Sequence, residues 1–276
     1  MKNMDDRTVA GLGFEWSTYD QSCLSETELQ AHFDSYFSIF PWQHLPPAAE
    51  GFDLGCGTGR WAQKVAPRVG RLHCIDASPE ALAVARANLS QVSNCELHCA
   101  GVDSMTLTSD SMDFGYALGV LHHVPNPQAA LRVCVKKLKK DAPFLLYLYY
   151  AFDNQPPWYQ ALWRASDVGR RMVCRLPAKL KLITTVTTAA CVYWPLARAA
   201  RVAEAAGLSV KSFPLSAYRH ASFYTMKTDA LDRFGTSLEH RFTRSQIAAM
   251  MTDAGLSQLR FSDTAPYWCA VGVRQW

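Results

Sequence analysis

Phe52-Asp53-Leu54-Gly55-Cys56-Gly57-Thr58-Gly59, followed by an acid at Asp76, decides how this chain is read. An apolar run enters a loop with glycine at positions 55, 57 and 59. Such a loop turns sharply, and a ligand can approach backbone groups that a side chain would screen. Asp76 lies 21 residues past Gly55, at the end of a second apolar run. A carboxylate there can accept both hydroxyls of a ribose. The NAD fingerprint is Gly-x-Gly-x-x-Gly. Here position 60 is Arg and the spacing is Gly-x-Gly-x-Gly, so a nicotinamide oxidoreductase is the disfavoured reading. No Gly-Lys-Ser/Thr follows, which excludes a P-loop.

Outward from the loop, strands and helices alternate over residues 50–150. Residues 51–54 end a first strand, 59–66 form a short helix and 71–76 a second strand. Ser78 is an N-cap and Pro79 a first helical residue, opening a helix to about residue 90. Strands follow at 95–100 and 112–118. Asn126-Pro127 starts a helix whose Leu131, Cys134, Val135 and Leu138 share one face. A fifth strand covers 144–150. Such a series builds a parallel sheet with its ligand at the carboxyl ends of the strands. Near the C-terminus, Thr243 to Gln246 has the spacing of a capping box, with Ile247, Met250, Met251 and Ala254 on one face and Gly255 as the stop. Strands at 256–262 and 267–274 end the chain.

Composition sets bounds. Of 276 residues, 49% are hydrophobic and 19% charged, as in a soluble globular protein. The first seven residues are polar with no apolar run behind them, so no signal peptide is expected. Nine scattered cysteines without a Cys-x-x-Cys pair argue against a disulfide framework and a structural zinc site. Buried thiols in a cytoplasmic protein, with no metal site, are the expectation. A net charge of +4 is too mild to imply a partner.

With these residues in hand, the chain resembles the class I S-adenosylmethionine-dependent methyltransferases. Residues 53–59 look like their first motif and Ile75-Asp76-Ala77-Ser78-Pro79-Glu80 like the acidic one. Gly101-Val102-Asp103-Ser104 resembles the segment whose acid meets the adenine amino group. Residues 114–124, ending in His122-His123-Val124, resemble the fourth motif of the small-molecule and quinone-methylating branch. The resemblance covers about 48–150 and resumes at 241–274. Lys140-Asp141-Ala142 stands where the family often has Pro-Gly-Gly.

The resemblance implies S-adenosylmethionine as cofactor, with S-adenosylhomocysteine as product. Gly55, Cys56 and Gly57 would contact the methionine part through backbone atoms. Asp53 would set the loop or reach the methionine amino group through water. Asp76 would hold the ribose and Asp103 the adenine amino group. Ala77 and Val102 would flank the adenine ring, and Leu118 and Gly119 would line the floor by the sulfonium. N-terminal helices in this family often close over the cofactor. A helix is expected at 26–40, and Trp16 or Tyr19 would shield the sulfonium by a cation–π contact. His122 and His123 follow the fourth strand and have the reference pKa of a base at neutral pH. Tyr150, Trp158 and Arg241 are expected at the acceptor pocket.

Between residues 152 and 240 the sheet pattern stops. From Arg164 to Lys211 nine basic residues face only Asp167 and Glu204. They describe a solvated cationic cap, or a cap facing an anionic or lipid-like substrate or a membrane surface. Residues 182–197 are apolar, but sixteen residues with Pro195 fall short of a span, so a buried cap helix or an oligomer contact is expected. No aromatic–basic pattern accompanies the charge, so nucleic acid is not the expected partner.

The expected architecture is a doubly wound, seven-stranded, mostly parallel sheet with a helical cap. An N-terminal lid spans 1–45, the cofactor core 46–151, the basic cap 152–240 and the completing helix and strands 241–276. The expected function is methyl transfer to a small or lipid-like acceptor, first at oxygen, with carbon or RNA methylation as substrate-level alternatives. A non-catalytic partner subunit is the alternative of another class.

Overall fold

The computed structural model describes residues 3–276. Its strands are β1 (Glu50–Leu54), β2 (Arg71–Asp76), β3 (Cys95–Cys99), β4 (Phe114–Leu118), β5 (Pro143–Tyr147), β6 (Leu256–Phe261) and β7 (Ala270–Arg274). Its helices are α1 (Asp6–Thr18), α2 (Glu26–Phe37), α3 (Ala62–Val65), α4 (Pro79–Asn88), α5 (Pro127–Lys137), α6 (Pro157–Val173), α7 (Ala178–Thr188), α8 (Trp194–Ala205), α9 (Phe223–Gly235) and α10 (Arg244–Asp253). The strands form one sheet in the order β3-β2-β1-β4-β5-β7-β6. The first five are parallel, and β7 runs antiparallel between β5 and β6. This is the doubly wound fold expected, with its switch point between β1 and β4.

The local signals act as their chemistry requires. The Ser78 hydroxyl accepts from Ala81 N–H, Asn126 from Ala129 N–H and Thr243 from Gln246 N–H. Gly255 ends α10 at φ +94°, where a side chain would be strained. Several bounds shift, the short helix expected at 59–66 being Ala62–Val65 and the last strand starting at Ala270 rather than 267. The fifth strand ends at Tyr147 rather than 150, and α1 occupies residues left unassigned from sequence. Asp5 caps α1 by accepting from Thr8 N–H, a signal that lacks a strong apolar stripe behind it.

The chain divides into two compact units, residues 1–21, 29–150 and 238–276 in one, 22–28 and 151–237 in the other. In the first, Phe52, Ile75, Phe144 and Leu146 pack beneath α5 and α10 on one sheet face. Leu72, Cys74, Phe114 and Tyr116 pack on the other with Trp61, Leu82 and Phe37. At the switch point Phe52 pairs Gly115, and Gly51 pairs Phe114, in adjacent register. A Cβ on Gly115 would lie 2.4 Å from the Phe52 ring, and one on Gly51 2.3 Å from the Phe114 ring. Each phenyl ring lies over the neighbouring strand's glycine, one on each face.

The second unit is helical. Residues 182–197 do not form an isolated short helix. α7 and α8 join through a π turn at Ala189–Tyr193 into one helix over Ala178–Ala205, long and apolar enough by length and composition to cross a membrane. Only 22% of its apolar window is buried, which corrects the expectation of a buried cap helix. The inward stripe is Thr185, Ala189, Tyr193, Ala197 and Ala200. Glu28 is also tied into this unit, accepting from Ser222 N–H and the Thr225 hydroxyl.

Gly115→Ala is expected to force the Phe52 ring aside and to destabilise the first unit by about 1–3 kcal/mol, the usual cost of overpacking. Urea unfolding followed by tryptophan fluorescence measures it; an unchanged midpoint would show that the rings have room to move.

Candidate active site

The glycine loop closes on the end of β2. Gly55 and Cys56 N–H both donate to the Ile75 carbonyl, at 2.7 and 3.1 Å. Gly57 N–H donates to Asp76 Oδ2 at 2.9 Å, and Ser78 N–H to Oδ1 at 2.8 Å. Asp76 therefore holds the loop and the start of α4 at once. Burial raises its pKa, and the N–H donors from Ser78 and Gly57 pull it back. The N–H groups of Gly55, Cys56 and Gly57 are thus committed inward, and the Cys56 carbonyl accepts from Gly59 N–H at 2.8 Å. Gly55 needs its freedom: φ is +73° and a Cβ would lie 2.1 Å from Val120.

Asp53 ends beside Tyr116 of β4 and is buried. Burial raises its pKa well above its ordinary value, and the nearby Asp76 adds to the rise. Its Oδ2 and the Thr58 hydroxyl have no hydrogen-bond partner among the described residues. Leu118 is buried at the end of β4. Gly119 follows at φ +80°, and the space a Cβ would fill is open. Open backbone after β4, with unsatisfied buried polar atoms on β1 and in the glycine loop, fits a polar ligand lying across the switch point.

Val102 is buried under a 3₁₀ turn at Val102–Ser104, and Ala77 is half-buried after Asp76. Asp103 is exposed, but its Oδ2 accepts the Asn3 backbone N–H at 2.5 Å. Asn3 also exchanges hydrogen bonds with the Asn126 backbone in both directions. An adenine amino group would share Asp103 with the N-terminal segment. Trp16 of α1 lies against the loop, its indole 3.3 Å from the point a Gly57 Cβ would occupy. Tyr19 is buried at the C-cap of α1, its N–H on the Glu15 carbonyl at 2.8 Å. Of the two aromatics named from sequence, Trp16 is the one seen against the loop.

His122 and His123 are both buried and differ in role. His122 Nδ1 accepts from Tyr149 N–H at 3.4 Å, its ring stacks on Tyr149 at 3.8 Å, and its Nε2 has no partner among the described residues. Burial holds its pKa well below 6.5, aided by His123, Arg241 and His240. His122 is therefore neutral at physiological pH. His123 Nδ1 donates to the Leu238 carbonyl at 2.7 Å. In the neutral ring, that bond leaves Nε2 as the proton acceptor.

The returning segment 238–242 forms this wall. His240 N–H donates to the His122 carbonyl and Phe242 N–H to the Tyr149 carbonyl, both at 2.9 Å. Arg241 pairs with buried Glu239 at 2.7 Å, donates to the Tyr150 carbonyl at 3.2 Å and lies over the Tyr149 ring at 5.0 Å. It braces the segment that follows β5. Glu239 and Leu238 had no signal in the sequence, because a lone acid and a carbonyl gain meaning only from what folds against them. Tyr150 is half-buried, its ring 5.6 Å from Tyr267. Trp158 belongs to the second unit and is 52% exposed on α6. Arg219 and His220 both pair with Glu204 at 2.9 Å, within the second unit.

Residues 52–146 match the family described as a methyltransferase domain. A ubiquinone biosynthesis O-methyltransferase of Neisseria meningitidis is 29% identical over 119 residues, 42% of this chain and 49% of its own length. One from Xanthomonas axonopodis pv. citri is 28% identical over 136 residues, 49% of this chain and 54% of its own. The chain spans about half the length of the curated relatives it matches. A chain in the complex of the Haloferax volcanii Trm112 methyltransferase activator with a methyltransferase superposes at a TM-score of 0.52 and 14% identity, covering 95% of this chain and 98% of that one. An S-adenosylmethionine-dependent methyltransferase of Methanosarcina mazei gives 0.51 and 15%, covering 86% and 98%. At these identities the structures show the fold alone. Residues 52–146 are therefore similar to a methyltransferase domain, set in a fold that solved S-adenosylmethionine-dependent methyltransferases share. The chain's curated relatives lie in the quinone-methylating branch.

The pH dependence of stability follows from His122. Its folded pKa is depressed, so the unfolded chain binds a proton the folded one refuses. Its contribution is complete above 6.5 and is lost as pH falls toward the folded value. The stability difference between the wild type and His122→Asn should shrink by up to about 1.4 kcal/mol per pH unit below pH 6.5. Denaturant unfolding at several pH values reads it, and a pH-independent difference would contradict a neutral buried His122.

Proposed function

We propose that the chain transfers a methyl group from S-adenosylmethionine to a hydroxyl of a small, lipid-like aromatic acceptor. The observation that carries this reading is Asp76 fixed by Gly57 and Ser78 at the end of β2, with open backbone at Gly119 past the end of β4 across the switch point. The cofactor supplies an electrophilic methyl group on a sulfonium, and the protein supplies alignment and charge placement. Asp76 would take the ribose, Asp103 the adenine edge, and Asp53 with Thr58 the polar end of the methionine part. Trp16 would cover the loop. His123, held through Nδ1 by Leu238, would take the acceptor hydroxyl proton at Nε2 as general base, with Arg241 and Tyr149 positioning the wall behind it. The curated relatives named as ubiquinone biosynthesis O-methyltransferases support oxygen as the site of transfer and a quinone-type ring as the acceptor class.

Calorimetry with S-adenosylhomocysteine should give micromolar binding, lost in Asp76→Ala. His123→Ala should keep that binding while methyl transfer from labelled donor falls about 10²–10⁴-fold, the usual worth of a general base. Absent binding in the folded wild type would sink the reading. Unchanged turnover in His123→Ala would remove only the base.

A second observation bears on where the acceptor is met. α6 is inverted: Asp167 and Arg170 are buried and paired at 2.6 Å, while Trp158, Leu162, Val168 and Met172 stand outward, each more than half exposed. Leu180, Ile183 and Val202 are likewise exposed along α7 and α8. Exposed apolar rows flanked by Arg164, Arg171, Arg175 and Lys179 match the chemistry of a surface helix on an anionic bilayer. Such a surface would bring a lipid-like acceptor to the enzyme. Flotation with phosphatidylglycerol vesicles should carry the protein upward, and Trp158→Ser with Met172→Ser should leave it at the bottom. A wild-type protein that stays at the bottom would remove the membrane from this reading.

A further inference from the structure

Away from the glycine loop, His73 on β2 faces Glu96 and His98 on β3. The register pairs His73 with Glu96 and Ile75 with His98, so all four share a sheet face. His73 Nδ1 lies 3.0 Å from His98 Nε2 and 3.5 Å from Glu96 Oε2, and His98 Nε2 lies 4.0 Å from Glu96 Oε1. No ion is needed to explain one hydrogen bond between the two rings. Two further facts go beyond that bond.

The first is the role of Glu50. Its Oε1 lies 2.8 Å from His73 Nε2. A carboxylate at that nitrogen holds the proton there, and Nδ1 then presents a lone pair toward His98 and Glu96. A carboxylate–histidine pair of this kind orients metal-binding imidazoles and raises their basicity. Arg71, 3.6 Å from the same oxygen, completes the support.

The second is why polar groups stand on this face at all. The connection from β3 to β4 contains a single 3₁₀ turn, Val102–Ser104, and no α-helix. On this face α5 and α10 lie over the middle and far strands. The β2–β3 margin therefore stays open: the His98 side chain is 22% exposed and Glu96 55%, while His73 is 8% exposed behind them. A graded site results, with one buried ligand, one half-buried and one at the solvent.

We infer that His73 Nδ1, His98 Nε2 and the Glu96 carboxylate form a site for a divalent transition metal, with Glu50 as the positioning residue for His73. Metal–ligand bonds of about 2.0–2.1 Å place tetrahedral ligand atoms about 3.3 Å apart, close to the separations already present. Two imidazoles and a carboxylate suit zinc, cobalt or nickel, with the solvent side open to water. An ion there would displace one ring proton and lock edge strand β3 to β2. Its role is structural, since the site sits on the sheet face rather than at the strand ends where the cofactor is bound.

Cobalt(II) titration of the full chain, read by visible absorbance, tests the site. One equivalent should bind with the d–d bands of nitrogen and oxygen ligands, and the unfolding temperature should rise with the ion present. His98→Asn, a half-exposed position, should abolish both effects, and Glu50→Gln should weaken binding about tenfold or more, as loss of an outer-shell partner does. Thiolate-to-cobalt charge transfer in the near ultraviolet would place the ion on a cysteine. That result, no binding, or equal binding in His98→Asn would overturn the site. S-adenosylhomocysteine binding should be unchanged in His98→Asn, which separates this site from the cofactor reading.

Discussion

The Asp76 carboxylate ties together the glycine loop, the end of β2 and the start of α4 by accepting Gly57 and Ser78 N–H groups. Its two oxygens fix where the loop lies before any ligand arrives. Glycine at 55, 57 and 59 makes the positive φ angles of that path cheap, Val120 leaves no space for a side chain at 55, and Trp16 lies close over 57. Preorganisation of this kind means that binding does not also have to order the loop. The switch point below it is equally constrained, because reciprocal Phe–Gly pairs set how closely β1 and β4 approach.

Two buried histidines side by side illustrate how hydrogen bonding assigns roles that residue type cannot. His122 accepts from Tyr149 N–H and stacks on that ring, and burial keeps it neutral. His123 donates to the Leu238 carbonyl, which turns its other nitrogen toward proton acceptance. The partner that makes the distinction enters from the far side of the insertion, 115 residues later in the chain. The long insertion thus returns to the core as part of its wall, through Leu238, Glu239 and Arg241.

The second unit places charge and apolar surface in an unusual arrangement. Asp167 pairs with Arg170 within α6 and Glu204 of α8 pairs with Arg219, while Trp158, Leu162 and Met172 face outward. Burying a charge is tolerable here because the partners are close and Arg170 also donates to the Thr236 carbonyl at 2.9 Å. The apolar side chains then remain for whatever the unit meets outside.

The sequence alone determined the sheet, its loop and its caps, because these depend on residues near one another: glycine spacing, an acid 21 positions on, Ser, Asn and Thr before apolar stripes. It also named Asp76, Gly119, His122 and His123, since a motif carries its own register. Other features needed the fold. Asp103 is shared with Asn3, Arg241 is committed to Glu239 and the Tyr150 carbonyl, and residues 182–197 belong to a 28-residue helix that is mostly exposed. His73, Glu96 and His98 meet only because β2 and β3 pair in register, which no local spacing announces. Each of these was decided by the tertiary structure for one reason: a side chain's partner, and with it its protonation and exposure, comes from residues distant in sequence that only packing brings within a few ångströms.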